Sequence, residues 1–248
     1  MKYTFINRLT ARETSRLRFG YSRALRASRT RYPCAVFVWI PKSAGTSVYQ
    51  WLEDAINMVK FINPHELARF PNFGRVTFGH VHYGALLNKG IVSNEFDKQA
   101  YKFCIVRNPY ARAFSLYSYL SAPPISLFEG SFLDFILSVR EGCEPVGPYN
   151  SKGLSIANPQ SDWVFDEEGR RLVNDVFSIN DLSGLEDSIR TRFAVKKDVT
   201  LKHLNKSTKN KSLYRALLEH DEIVPMIDEI YARDFTEFGF QTGVAEKS

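Results

Sequence analysis

The chain has 248 residues, enough for one large domain or a domain with an appended arm, and 44% of them are hydrophobic against 24% charged. That balance excludes the disordered and fibrous classes. With 33 Lys+Arg against 27 Asp+Glu the net charge is +6, which favours anionic partners such as nucleotides, acidic glycans or membrane faces.

Arginines recur from Arg8 to Arg31 with Glu13 as the one acid among them. Residues 1–31 are therefore expected to form a basic arm, either a solvated helix or a peripheral membrane or polyanion contact. A domain is expected over 32–242, with a tail at 243–248. No stretch approaches 18 apolar residues and the N-terminus lacks an apolar signal core, so a cytoplasmic protein without a transmembrane segment is expected. Cys34, Cys104 and Cys143 are too sparse and too far apart for a disulfide framework or a zinc site.

Taken in chain order, Cys34–Ile40 is a continuous apolar run of the kind buried on both faces of a parallel sheet. A turn rich in small residues follows. Val48, Trp51, Leu52, Ala55, Ile56 and Val59 then mark one face of a helix. Arg75–Phe78 predicts a short strand ending at Gly79 and His80. Lys102–Val106 predicts another, closed by Arg107, Asn108 and Pro109, with the proline placed to be the first helical residue. Phe114, Leu116, Tyr117 and Leu120 carry that helix onward. Ser131 and Asp134 form a capping-box signature for a further helix. Residues 140–160, rich in Gly, Pro, Ser and Asn, predict a long surface loop. Val173–Ile179 predicts a strand, Leu185–Phe193 a helix and Ile223–Phe235 a C-terminal helix. Alternating strands and helices imply an α/β fold with a central, mostly parallel sheet flanked by helices.

Chemistry concentrates at two of these turns. Lys42, Ser43, Ala44, Gly45, Thr46 and Ser47 lie between a buried strand and a helix start. Small residues there let successive N–H groups converge on phosphate oxygens, and the helix N-terminus and Lys42 add positive charge. The loop is not a Walker A motif, in which lysine directly follows the second glycine; here Lys42 precedes Gly45. No apolar strand ends in an aspartate suited to hold a metal. A transferring phosphoryl group carries enough charge to need metal and a sulfuryl group carries less, so the missing metal ligand fits sulfuryl transfer better than phosphoryl transfer, and no metal ligand is assigned. At the second turn Arg107 supplies a guanidinium suited to a phosphate dianion, and Ser115 lies about two turns into the following helix.

These paired segments resemble the 5′-phosphosulfate loop and the 3′-phosphate segment of sulfotransferases dependent on 3′-phosphoadenosine 5′-phosphosulfate (PAPS). The flanking Phe78-Gly79-His80, together with Asn158–Gln160, His203–Ser207 and the ending Asp234–Gly239, looks most like the carbohydrate branch that includes heparan sulfate 2-O-sulfotransferases. The resemblance runs from about residue 34 to about 240. It implies a P-loop-type sulfotransferase fold, PAPS as sulfuryl donor, and a carbohydrate, glycolipid or other hydroxyl as acceptor, with no specific nucleic-acid partner. It also implies Lys42, the 43–47 loop, Arg107, Ser115 and Ser207 as donor contacts, and His80 as general base. In the heparan enzymes a second histidine precedes the base by two residues; Phe78 stands there in this chain, and His82 follows instead.

His80 is matched by its ordinary pKa to take a proton from an acceptor hydroxyl at neutral pH. His82, Gln160 and Trp163 are candidates for acceptor contact, with core packing as the alternative for Trp163. Two other readings stand beside the sulfotransferase: a nucleotide-dependent kinase on a P-loop fold, and a non-enzymatic polyanion-binding module.

Overall fold

The structure is a computed structural model and describes residues 34–142, 156–195, 199–201 and 220–243. The basic arm, Cys143, His203, Ser207 and the tail beyond Gly243 lie outside the described residues.

The elements alternate as expected. Strand β1 (Ala35–Val38) leads through the small-residue turn to α1 (Gly45–Ile56). Then come β2 (Val59–Lys60), α2 (Pro64–Leu67), β3 (Arg75–Thr77), α3 (Tyr83–Asn88) and α4 (Asn94–Gln99). Strand β4 (Tyr101–Val106) feeds α5 (Pro109–Ser121), followed by α6 (Phe132–Arg140) and α7 (Ser161–Val164). The chain closes with β5 (Asp175–Ser178), α8 (Leu182–Arg192), α9 (Ile223–Ile230) and α10 (Ala232–Phe238). Among the described residues no helix is long and apolar enough to cross a membrane.

The five strands form one sheet in the order β2-β3-β1-β4-β5, and every pairing is parallel. All four residues of β1 are buried, as the unbroken apolar run requires of a strand covered on both faces. Ala35, Phe37, Phe103 and Ile105 point to one face, against α1 and α8. Val36, Val38, Cys104 and Val106 point to the other, against Trp163, Val164 and the β3–α4 segment. A third cluster joins α5, α6, α9 and α10 around Tyr110, Phe135 and Ile227.

The sheet order decides where a ligand can sit. From β1 the chain crosses to the edge strand β2, returns inward to β3 beside β1, and then crosses to β4 and β5 on the other side. The carboxyl ends of β1 and β4 therefore diverge at a switch point, the place where open parallel sheets form a ligand crevice.

Four sequence expectations need correction. Val59 belongs to β2 rather than to the face of α1, because Asn57 adopts the left-handed conformation (φ 54°) and ends the helix with its N–H on the Leu52 carbonyl. The C-terminal helix breaks at Tyr231, where the backbone leaves helical geometry (φ −108°, ψ 23°), and the Tyr231 hydroxyl donates to the Ala157 carbonyl at 2.8 Å. The predicted surface loop turns inward at its end, since Ile156, Ala157 and Gln160 are buried. Finally, β5 is shorter than its apolar run: Val173 is a core residue ahead of the strand.

Candidate active site

The turn after β1 is built on alternating backbone signs. Lys42 (φ 66°) and Ala44 (φ 59°) are both left-handed, while Ser43 between them is not. Such alternation turns successive N–H groups toward a common point, forming an anion-binding nest. Ala44 is the N-cap of α1, and no side chain caps that helix. A helix start without a side-chain cap is suited to an external anion. At α5 the opposite holds: the Asn108 carboxamide oxygen accepts from Tyr110 N (3.0 Å) and Ala111 N (3.4 Å). An anion at the second turn must therefore be held by side chains, which is the part Arg107 and Ser115 are suited to play.

Gly45 has a steric reason. A Cβ there would stand 1.7 Å from Trp39 Nε1, so only glycine lets the indole lie on the loop. That indole stacks on Tyr49 at 5.5 Å and meets His80 edge-on at 5.3 Å. The Lys60 ammonium sits over both rings, 5.3 Å from Trp39 and 4.8 Å from Tyr49. One tryptophan thus ties the nest to the histidine.

Gly79, left-handed at φ 59°, delivers His80 to the carboxyl edge beside β1. His80 Nδ1 lies 2.9 Å from the Trp39 carbonyl. A carbonyl only accepts, so Nδ1 carries the proton, and in the neutral ring Nε2 is the basic nitrogen. Burial lowers the His80 pKa, and the positive charges of Arg112, Lys42 and Lys60 add to this against the opposing Trp39 hydrogen bond. That direction favours the neutral ring near neutral pH.

Two residues, Gln160 and Arg112, lock the halves of the site together. Gln160 is fully buried. Its Oε1 accepts from Ser43 Oγ (3.2 Å) and Arg107 N (2.9 Å), and its Nε2 donates to the Arg107 carbonyl (2.7 Å) and Asp234 Oδ2 (3.2 Å). It is a strut between the β1 and β4 turns, which corrects the expectation that it contacts acceptor. Ser43, only 1% exposed, spends its hydroxyl on that strut, so its backbone alone faces the nest. Trp163 is likewise interior, at 1% exposed, with Nε1 donating to the His80 carbonyl at 3.2 Å. Of the two readings held open for it, core packing is the one observed.

Arg112, within α5, was passed over. It is 1% exposed and donates from Nε to Pro41 O (3.1 Å), from Nη1 to Asn158 O (2.9 Å) and from Nη2 to Ile156 O (2.8 Å). A signal existed in the sequence. Arg112, Leu116 and Leu120 share one buried stripe of α5, and a charged residue in line with core positions marks a buried, fully bonded guanidinium.

The remaining candidates fall as follows. Lys42 is half-buried, and its pKa is lowered first by burial and then by Arg107. Arg107 Nη1 donates to the Lys42 carbonyl at 3.4 Å, and the Arg107 charge acts on the Lys42 ammonium. Thr46 is exposed on the first turn of α1 and Ser47 is buried there. Ser115 is half-buried on α5. His82 precedes α3 as its N-cap residue and packs edge-on to Trp163 at 6.3 Å. Among the described residues no group of three or more His, Cys, Asp or Glu side chains is placed to hold a metal ion.

No family model and no curated protein sequence matches the chain. Solved structures similar to it include two sulfotransferases. Mouse sulfotransferase SULT7A1, complexed with PAP, aligns at 16% identity with a TM-score of 0.44, over 88% of this chain and 70% of its own. A sulfotransferase from Alicyclobacillus acidocaldarius aligns at 15% identity with a TM-score of 0.43, over 85% of this chain and 99% of its own.

Proposed function

We propose that the protein is a PAPS-dependent sulfotransferase acting on an acceptor hydroxyl, with a carbohydrate or glycolipid as the acceptor class. The observation that carries this reading is the pair of anion-suited turns at one switch point, an uncapped nest with Lys42 after β1 and Arg107 after β4, joined by the amide of Gln160. A nucleotide phosphorylated at both the 5′ and 3′ positions is the ligand such a pair fits. The donor set is cationic and amide-rich, in keeping with an anhydride of phosphate and sulfate.

The backbone of residues 43–47 and Lys42 would hold the 5′ end, and Arg107 with Ser115 the 3′-phosphate. Bound there, PAPS supplies an activated sulfuryl group on a phosphate leaving group. Lys42 stabilises the charge that develops on the bridging oxygen, where a preorganised cation in a desolvated site is most effective. His80 Nε2 takes the acceptor proton, and the Trp39 carbonyl holds the ring in the tautomer that allows it. His82, across Trp163, contributes acceptor contact.

Calorimetry with 3′-phosphoadenosine 5′-phosphate (PAP), without added metal, tests the reading. Tight binding to the wild type that falls at least tenfold in Arg107→Ala is the expected result. Absence of binding, with ATP–Mg²⁺ bound in its place, would move the chain to the kinases.

The pH dependence follows from His80. Because its folded pKa lies below the ordinary 6.5, the deprotonated base persists to lower pH than a solvated histidine would. Plotted against pH, kcat/KM should rise through a midpoint below 6.5 and stay level above it, reporting the free enzyme. A midpoint above 6.5, or a limb that survives His80→Gln, excludes His80 as the base.

A further inference from the structure

One more side chain meets the reactive lysine. Tyr119 lies on α5 four residues beyond Ser115, hence on the same face one turn on. The Lys42 ammonium stands 4.2 Å from its ring centroid. Tyr119 keeps 38% of its surface exposed, so its ring is not there to fill the core. With its carbonyl under Arg107 and its ammonium on Tyr119, Lys42 spans from the β1 turn to α5.

The arrangement answers an electrostatic difficulty. Lys42 and Arg107 are adjacent cations, and burial and mutual repulsion both work against the charged lysine. An aromatic face presents negative potential to a cation. We infer that Tyr119 is a positioning residue for Lys42, its ring fixing the ammonium against the Ser115 face of α5 and keeping it charged before any anion arrives. The catalytic consequence rests on the sulfuryl-transfer reading; the ring–ammonium contact does not. Among the described residues, the other titratable or charged groups acting together with Lys42 are Arg107 at the end of β4 and His80 after β3.

Two substitutions separate the ring from its bulk. Tyr119→Phe keeps the aromatic face, whereas Tyr119→Leu keeps an apolar neighbour without it, and both sit at a partly exposed position that tolerates change. The first measurement is an NMR titration of the Lys42 side chain in nucleotide-free protein. The Lys42 pKa should fall by roughly half a unit in Tyr119→Leu and stay at the wild-type value in Tyr119→Phe. An unchanged titration in Tyr119→Leu overturns the inference. The second measurement is donor kinetics, where Tyr119→Leu should lose several-fold in kcat with KM for PAPS little altered, and Tyr119→Phe should restore it. A KM defect in place of the kcat defect overturns the positioning role. A shifted titration in a protein that fails to bind PAP leaves the Tyr119–Lys42 contact established and removes the sulfotransferase reading alone.

Discussion

Lys42→Gly should lower turnover by about 10²–10³-fold while leaving the stability of the folded state close to that of the wild type. The two effects separate because Lys42 combines a costly backbone with a useful side chain. At φ 66° it occupies the left-handed region, which costs a non-glycine residue roughly 1–2 kcal/mol. Glycine enters that region freely but has more freedom to lose from the unfolded chain, so the stabilities should match within about 1 kcal/mol. The side chain is half-exposed and fills no core space, so its removal opens no cavity. What disappears is the ammonium beside Arg107 and with it the charge available to the leaving oxygen. Lys42→Met, which keeps the stem and the backbone strain, serves as the control: it should lose the same turnover, showing that the ammonium and not the loop geometry is responsible. Single-turnover rates with PAPS in excess, alongside denaturant unfolding, measure both. Turnover within threefold of the wild type in either variant would take Lys42 out of the mechanism.

How far the sequence disclosed this site depended on the range of the interaction involved. Local patterns were legible. The apolar run of β1, the small-residue turn, the proline opening α5 and the Ser131–Asp134 capping box each depend on neighbours within a few residues, and each occurs. Lys42 and Arg107 were legible as phosphate-suited groups because each follows a strand directly, and parallel strands bring their carboxyl ends to one edge. Gln160 is misassigned, and Trp163 is left between two readings, for the converse reason. Their partners Ser43, Arg107, Asp234 and His80 lie 53 to 117 residues away in sequence, and a polar residue in a Gly/Pro/Asn-rich stretch looks the same whether it faces solvent or a buried strut. The ending of α1 at Asn57 was hidden by Val59, whose apolar side chain continues the helical spacing although the backbone has already turned. Tyr119 carries no local signal, since nothing in the helical pattern reveals a cation arriving from the β1 turn.

Arg112→Met should cost about 3–5 kcal/mol of stability, the range seen when one partner of a buried charged network is removed. Methionine approximates the length of the side chain, so little of the loss is cavity. The cost comes from what the guanidinium leaves behind. The carbonyls of Pro41, Asn158 and Ile156 lose their donors inside the protein, and each buried unsatisfied group costs about 1–3 kcal/mol before relaxation. Asp234, which accepts from Gln160 N and Ser161 N at 2.8 Å each, also loses a nearby positive charge. For a domain whose total stability is of order 5–15 kcal/mol, such a change moves the denaturation midpoint far while leaving the slope unaltered. Arg112→Lys should recover only part of it, because one ammonium cannot reproduce a planar fork aimed at three carbonyls. The consequence for function follows from Pro41. Its carbonyl is where Arg112 anchors the start of the nest, so PAP affinity measured well below the unfolding midpoint should fall in Arg112→Lys even while the protein remains folded. A loss of less than about 1 kcal/mol in Arg112→Met would mean that the loops after β1 and α6 hold their positions without the arginine, and that the nest is organised by Gln160 alone.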